Sequence, residues 1–305
     1  MEFGKVQHPG HVNFLLPPDD PMTDELLNGL GSGPKGDLRL HVGATRWRIK
    51  EWVGNVYPKK TKEKDFLAQY VRQFNSIELN AMWYNLQPKE VIEKWAGMAE
   101  VDFRYCPKFS NTISHELQLN NAERDTDLFI DHMRHFGQTL GASFLQLSDG
   151  FGPDRADLLH AYLRRIPRDF STCVELRHEH WFSYPDHRPT WDLFRQLGIG
   201  TVITDTSGRR DVIHMRLTAP VAFIRWVSNS GHPTDRPRID AWAERIGHWV
   251  KRGLREVYFF VHSHDETHTP SLVAYAIEQL NKSCGTDLKP PSIQQSDESK
   301  NLSLF

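Results

Sequence analysis

Eight short runs along the chain carry the apolar or alternating pattern of strands: LRLHVGA (38–44), SIELNAMW (76–83), DFRYCPKF (102–109), SFLQLS (143–148), TCVELR (172–177), TVITDT (201–206), AFIRWV (222–227) and EVYFFVH (256–262). Each is short and bounded by turn-forming residues, as strands are. Helical spacing separates most of them, over 61–73, 88–98, 122–139, 154–165, 190–197, 237–252 and 269–281. Asp154 is placed to cap the run that follows it, and Pro189–Thr190 precedes WDLFRQL. RQLGIGTVIT and VKRGLREVYFF each put a glycine between a helix and a strand. The link from Asp205 to Ala222 carries no convincing helix. Strands alternating with helices predict a parallel sheet, and eight such units predict a single (β/α)8 TIM-type barrel with an irregular or missing helix between strands 6 and 7. An open doubly wound sheet is the rival. It calls for a glycine-rich phosphate turn, and HVGATRWRIKEW supplies one glycine where that fingerprint needs three.

The barrel is expected over 38–284. Residues 1–37 are rich in Pro, Gly and Asp and read as an N-terminal arm with one short helical turn at 24–28. Residues 285–305 are polar and read as a mobile tail. Hydrophobic residues make up 39% of the 305-residue chain and charged residues 25%, enough for a sizeable core. The formal net charge of −2 demands neither nucleic acid nor an anionic membrane, although it leaves room for a local basic patch. No run approaches the roughly 18 apolar residues of a membrane span. Cys106, Cys173 and Cys284 are far apart with no C-x-x-C pair, so neither a zinc knuckle nor a disulfide framework is expected, and a reducing cytoplasm is the default.

Strand alternation makes the inner faces polar. Glu78 and Asn80 share a face; so do Arg104, Cys106 and Lys108; so do Gln146 and Ser148; so do Cys173, Glu175 and Arg177. Strand 6 ends in Asp205, strand 7 carries Arg225 and strand 8 ends in His262. The opposite faces hold Ile77, Leu79, Phe103, Tyr105, Leu145, Leu147, Val174 and Leu176. Polar groups thus converge late in each strand, where barrel enzymes keep their sites. Three acids, Glu78, Glu175 and Asp205, face three bases, Lys108, Arg177 and Arg225. Two readings follow: an open, charge-balanced substrate pocket, or a closed salt-bridge web. Lys108 is expected to partner a nearby glutamate, with a Schiff-base role as the rarer alternative. His115 and Glu116 follow strand 3, and Trp47, Trp83, Tyr84 and Trp181 are candidates for an aromatic wall. VHSHDETHTP offers His262, His264, Asp265 and His268 for a metal, though such loops are often only solvated. Ser228, Asn229 and Gly231 follow strand 7, where barrels often hold phosphate.

These residues resemble a known family. HVGATRW, FNSIELNAMWY, FRYCPKFSNTISHE, LQLS, VELRHEHWF and VITDTSG occur in this order over about 38–281 and look like the YecE-like family, domain of unknown function 72, whose members are sometimes labelled sugar-isomerase-related. The resemblance implies a TIM-type barrel and a cytoplasmic bacterial protein, and it brings no established reaction. Thr45–Arg46 and VHSHDETH depart from the family pattern.

The chain is therefore expected to be an enzyme for a small polar or anionic substrate, a sugar or sugar phosphate, with isomerase-type chemistry. Arg177 and Arg225 bind the anion, Glu78 and Glu175 form the acid/base pair, Asp205 orients a partner and Lys108 polarises an oxygen. Asn80, Gln146, His115, Trp47, Tyr84, Trp181 and His262 complete the binding wall. The alternatives are a metal-dependent phosphoester hydrolase, in which the three carboxylates hold Mg²⁺ or Mn²⁺, and a non-enzymatic ligand-binding or interaction protein. No nucleotide-cofactor motif is present, and the sequence leaves the oligomeric state open.

Overall fold

The computed structural model describes residues 4–31, 38–183 and 187–294. Eight parallel strands run β1 (Arg39–Ala44), β2 (Ser76–Leu79), β3 (Arg104–Pro107), β4 (Ser143–Gln146), β5 (Thr172–Glu175), β6 (Gly200–Asp205), β7 (Val221–Val227) and β8 (Glu256–His262). The ladder order is β3-β2-β1-β8-β7-β6-β5-β4. Two bridges, Tyr105 with Leu140 and Lys108 with Phe144, join its edges and close the barrel. Phe109 N–H donates to Phe144 O at 3.0 Å across that seam. The expected TIM-type barrel is the observed fold.

The helices are α1 (Pro21–Leu30), α2 (Phe66–Gln73), α3 (Ala81–Tyr84), α4 (Lys89–Ala96), α5 (Glu123–Met133), α6 (Ala156–Leu163), α7 (Arg188–Leu197), α8 (Asp235–Lys251) and α9 (Thr269–Cys284). Gly198, at φ 67°, ends α7 in the left-handed region, which glycine adopts without the Cβ penalty. β2 is shorter than its apolar pattern implied. It stops at Leu79, and Asn80 leads into the helical turn α3 that carries Trp83 and Tyr84.

Strand alternation sorts the side chains into two cores. Ile77, Leu79, Tyr105, Leu145, Val174, Ile203, Ile224 and Val261 face outward and belong to the large core beneath the helices. Inside the barrel, Cys106, Phe144, Cys173, Val202, Phe223, Tyr258 and Phe260 form a separate apolar plug. The Phe223 and Phe260 centroids are 5.2 Å apart, and those of Phe144 and Phe223 are 5.3 Å apart. A barrel of eight strands is just wide enough to be filled in this way.

Between β6 and β7 the described chain has only the 3-10 turn Arg210–Val212 and an extended stretch. α1 fills the vacant slot. Asp20 accepts Met22 N–H at 2.9 Å to cap it, with Pro21 pre-set in its first turn. The Thr23 hydroxyl donates to Met215 O at 2.6 Å and accepts Leu217 N–H at 2.7 Å, which ties α1 to the β6–β7 link. Glu25 pairs with Arg188 and Arg195 of α7 at 2.9 and 3.0 Å. On the other side, Asp19 accepts from Arg245 and from Trp249 Nε1 of α8, at 2.7 and 3.0 Å. Met22, Leu26 and Leu27 are buried in the common core. Residues 4–31 are therefore an integral layer, and the helix is longer than the single turn that composition suggested. Residues 285–294 also lie on the barrel: Ser292 N–H donates to Gln73 Oε1 at 2.8 Å and Gln294 N–H to Asn55 O at 3.0 Å. Of the expected arm and mobile tail, 1–3, 32–37 and 295–305 lie outside the described residues.

Leu27 is 1% exposed, so Leu27→Ala should lower the unfolding free energy of the whole barrel by about 2–4 kcal/mol with an unchanged urea m-value. An arm that merely tethered the chain would leave the urea midpoint where it is.

Candidate functional site

The inward alternation of the strand ends places a charged layer directly on the apolar plug. Arg225 from β7 is its centre. Its Nε and Nη2 donate to the two oxygens of Glu78 at 2.8 and 2.9 Å, and its Nη1 donates to Glu175 Oε2 at 2.8 Å. Below it, the Phe144 ring centroid lies 5.3 Å from the guanidinium carbon. Arg177 Nε donates to the other oxygen of Glu175 at 2.6 Å. β4 and β5 set Gln146 beside Glu175 in register, and Gln146 Nε2 donates to Glu175 Oε2 at 2.8 Å. Its Oε1 in turn accepts from Lys108 Nζ at 2.7 Å. Asn80 Nδ2 donates to Glu78 Oε1 at 2.9 Å, and His262 Nε2 lies 2.8 Å from Glu78 Oε2.

Above this layer opens a cavity of about 860 Å³ lined by Thr45, Arg46, Trp47, Arg48, Leu79, Asn80, Ala81, Trp83, Tyr84, Lys108, His115, Gln146, Arg177, Arg225 and His262. Five of these are Lys or Arg and none is Asp or Glu. Glu78 and Glu175, at 0% and 1% exposure, lie beneath the floor rather than in the wall. The two readings of the charge set are therefore both realised, at different depths: a closed ion-pair web supports an open cationic pocket.

Burial alone would raise the Glu78 carboxyl. Arg225 and His262 outweigh it and hold the group well below the usual carboxylate range. Burial likewise acts to raise Glu175, and Arg177 and Arg225 bring it far down. Both are thus firmly ionised and saturated with donors, poor conditions for a proton shuttle. Lys108 shifts the other way. Burial and the Arg225 guanidinium push it down to about 7, although the Trp83 ring, 4.5 Å from Nζ, favours the ammonium. Its hydrogen bond goes to a neutral amide and not, as expected, to a glutamate. Burial, Lys108 and Arg177 lower His115, and burial lowers His262 against the pull of Glu78. A neutral His262 donates its Nε2–H to Glu78 and keeps a lone pair on Nδ1.

Several expected residues lie elsewhere. Asp205 follows Ile203 on the outer face of β6, where it pairs with Arg210 and with Arg238 at 3.0 Å, and accepts Trp242 Nε1–H at 2.7 Å. It ties the barrel to α8 and does not line the cavity. Trp181 is fully buried and donates Nε1–H to Phe151 O at 2.8 Å, so it is core and not wall. Glu116 is exposed and bonded to Asn111 and Thr112. Trp47 and Tyr84 do line the mouth, Tyr84 at 80% exposure. Trp83 joins them, edge-on to His115 at 5.6 Å, and its buried Nε1–H has no hydrogen-bond partner among the described residues. Arg46 and Arg48 were missed. They sit on the loop after β1, which no periodicity marks as facing the site.

A second cavity of about 410 Å³ separates residues 4–9 from the loops after β6, β7 and β8. It was the expected phosphate region. Asp235, however, accepts Asn229 N–H at 2.8 Å and Gly231 N–H at 3.0 Å, which takes the donors an anion would need. Among the described residues, no group of three His, Cys, Asp or Glu could hold a metal ion. His268 reaches Asp265 at 3.6 Å near the surface, while His262 turns inward to Glu78. The three-carboxylate metal site thus lacks its geometry, since Arg225 occupies two of the acids and the third faces outward.

A family model described as "Protein of unknown function DUF72" matches residues 41–296. The chain belongs to this family. The UPF0759 protein YecE of Escherichia coli K12 is 27% identical over 275 residues, 84% of this chain and 98% of that protein. The UPF0759 protein YunF of Bacillus subtilis is 25% identical over 168 residues, 52% of this chain and 58% of its own. The crystal structure of a DUF72 family protein from Enterococcus faecalis aligns at TM-score 0.62 with 17% identity, over 85% of this chain and 100% of that one. Another from Thermotoga maritima aligns at TM-score 0.60 with 20% identity, over 81% and 99%. These structures share the DUF72 barrel. No described helix is long and apolar enough to cross a membrane.

Arg225→Met should cost about 3–5 kcal/mol at neutral pH, because it strands two buried carboxylates. The sign then reverses with acid. In the native chain the depressed Glu78 and Glu175 contribute stability above their ordinary value of 4.5 and lose it only below. In the variant, burial is less opposed and raises both groups, so protonation should rescue it. Urea midpoints taken from pH 8 to pH 5 should show the gap between the two proteins narrowing; a constant gap would refute the bridging role.

Proposed function

We propose that the 860 Å³ cavity is the active site of an enzyme acting on a small anionic carbonyl compound, a sugar phosphate or related sugar acid, by isomerase-type proton transfer. The observation that carries this reading is the sign of the wall: five cationic side chains and no acid around an open cavity of mixed polar and apolar lining. Arg225 uses three of its five N–H donors on glutamates and lines the cavity with the rest of its guanidinium. Arg177 stands beside it on Glu175, and Arg46 and Arg48 raise the potential at the mouth, which steers anions inward. Trp47, Trp83 and Tyr84 offer faces for an apolar sugar surface.

In this proposal the acid/base role moves away from Glu78 and Glu175. They hold Arg225 and Arg177 in place. Lys108 polarises the substrate carbonyl, and His115 and His262 move protons, since burial lowers both and leaves each a neutral imidazole with a lone pair in the cavity. A site of this charge is also what a non-enzymatic anion-binding protein would have. The reactive environment of Lys108 favours chemistry over simple binding. The metal-dependent hydrolase reading lacks a ligand set among the described residues, and cytoplasmic residence is part of the proposal.

A thermal-shift panel of sugar phosphates is the first check. Ligand at about ten times its Kd should add roughly 1.4 kcal/mol, or about 2–4 °C in Tm for a domain of this size. Arg177→Ala should abolish the shift and Asp205→Asn should preserve it. For any ligand that binds, NMR in deuterated water should show exchange at the carbon next to its carbonyl. Absence of any stabilisation at millimolar ligand would sink the anion-site reading, and binding without exchange would leave the non-enzymatic one.

A further inference from the structure

We propose that Lys108 is an amine nucleophile that forms an imine with the carbonyl carbon of its anionic substrate. The inference rests on the anion-site reading above and adds the covalent step. Four observations converge on it. Lys108 comes from the end of β3, lines the cavity and is only 8% exposed. Its Nζ bonds the neutral Oε1 of Gln146 at 2.7 Å. That amide is oriented by its own Nε2–H bond to Glu175, so the oxygen is fixed toward the lysine. Both buried carboxylates that might have paired with the amine are instead taken by Arg225 and Arg177. The remaining contact is the Trp83 face at 4.5 Å, which excludes water from one side.

Such surroundings suit a nucleophile. An ammonium here has no direct carboxylate partner, and the pull of Glu175 and Glu78 is outweighed by burial and by the Arg225 and Arg177 guanidiniums, whereas a neutral amine can donate one N–H to Gln146 and keep its lone pair. The drop to about 7 agrees: about half of the amine is neutral at pH 7, against under one part in a thousand for an exposed lysine. The N–H of a neutral amine is a weak hydrogen-bond donor, so Lys108 activates a carbonyl far better by bonding to its carbon. The nitrogen lone pair attacks the carbonyl carbon, and the C=O π pair moves to oxygen, which takes a proton. The nitrogen loses a proton, and the hydroxyl then leaves as water after a second protonation, which gives C=N⁺. No redox partner is needed. His115 and His262 line the same cavity and can carry these protons. The cationic imine is the electron sink that acidifies the neighbouring C–H, and Arg177 with Arg225 holds the anionic end.

The test uses the full-length protein with dihydroxyacetone phosphate, erythrose 4-phosphate and pyruvate as probes, each quenched with borohydride. Hydride reduces the imine to a stable secondary amine, read by intact mass and peptide mapping. The expected result, from at least one probe, is one adduct per chain on the peptide carrying Lys108. It should form at least tenfold faster than on exposed Lys59 or Lys60, and sn-glycerol 3-phosphate, which has no carbonyl, should suppress it. The labelling rate should rise through pH 7 and level off by about pH 8, and Lys108→Arg should abolish it. Mapping within the native chain stands whether or not that variant folds. Adduct spread evenly over surface lysines overturns the proposal. If glycerol 3-phosphate raises the Tm but no probe labels Lys108, the imine is wrong and the anion site stands. If neither binding nor labelling occurs, both readings fall.

Discussion

Everything at the open end of this barrel depends on Arg225 and the two carboxylates it joins. A guanidinium and two glutamates cannot be buried on a phenylalanine plug unless each satisfies the others, because an unpaired buried ion costs several kcal/mol. The bidentate bond to Glu78 and the single bond to Glu175 meet that demand across β2, β5 and β7. Once the carboxylates are committed, the next shell is determined. Arg177, Gln146, Asn80 and His262 fill the remaining acceptor positions, and Lys108 is left with an amide. The ion-pair web therefore both closes the interior and sets the positive sign of the cavity above it.

The same logic separates residues that look alike in the sequence. Glu78, Glu175 and Asp205 are all acids near strand ends, yet two face the barrel axis and one faces the helices. Asp205 sits two residues after Ile203, and Ile203 packs outward, so alternation sends the carboxylate to Arg238 and Trp242. Its position at the end of a strand made it look like a site residue. The phase of its own strand says otherwise, but Val202 and Ile203 are both apolar, so the sequence does not show which of them faces the axis. Trp181 differs in another way: a tryptophan next to a charged run reads as a wall, but its indole N–H finds Phe151 O and its ring fills the core.

α1 is the clearest case of a role set by context. Its sequence is a capped, amphipathic ten-residue stretch that, by itself, gains too little to be a stable helix. It becomes one because the β6–β7 link leaves the outer sheet face uncovered between α7 and α8. The barrel thus keeps a full ring of helices from a segment that precedes its first strand. The loop after β6 is held against this N-terminal region, through Thr206 and Gly208 on Gly4, and the larger cavity lies on the other side of the barrel mouth, over the ends of β1–β5.

The chain's alternation alone determined the eight strands, the inward faces of all but β6 and the weak link after β6. Period-2 and period-3.6 patterns are local, and a strand whose two faces differ reports its own phase. The resemblance of its motifs to a family added to that reading. On the same basis Glu78, Lys108, Gln146, Glu175, Arg177, Arg225 and His262 were legible as one set. Tertiary structure decided their depth and pairing: that the glutamates lie under the floor, that Lys108 bonds an amide instead of a carboxylate, that Asp205 is outside, and that Arg46 and Arg48 reach the cavity. These outcomes turn on distances between strands far apart in sequence and on loops without periodicity, and competition among several cations for two carboxylates is resolved only when all of them share one volume.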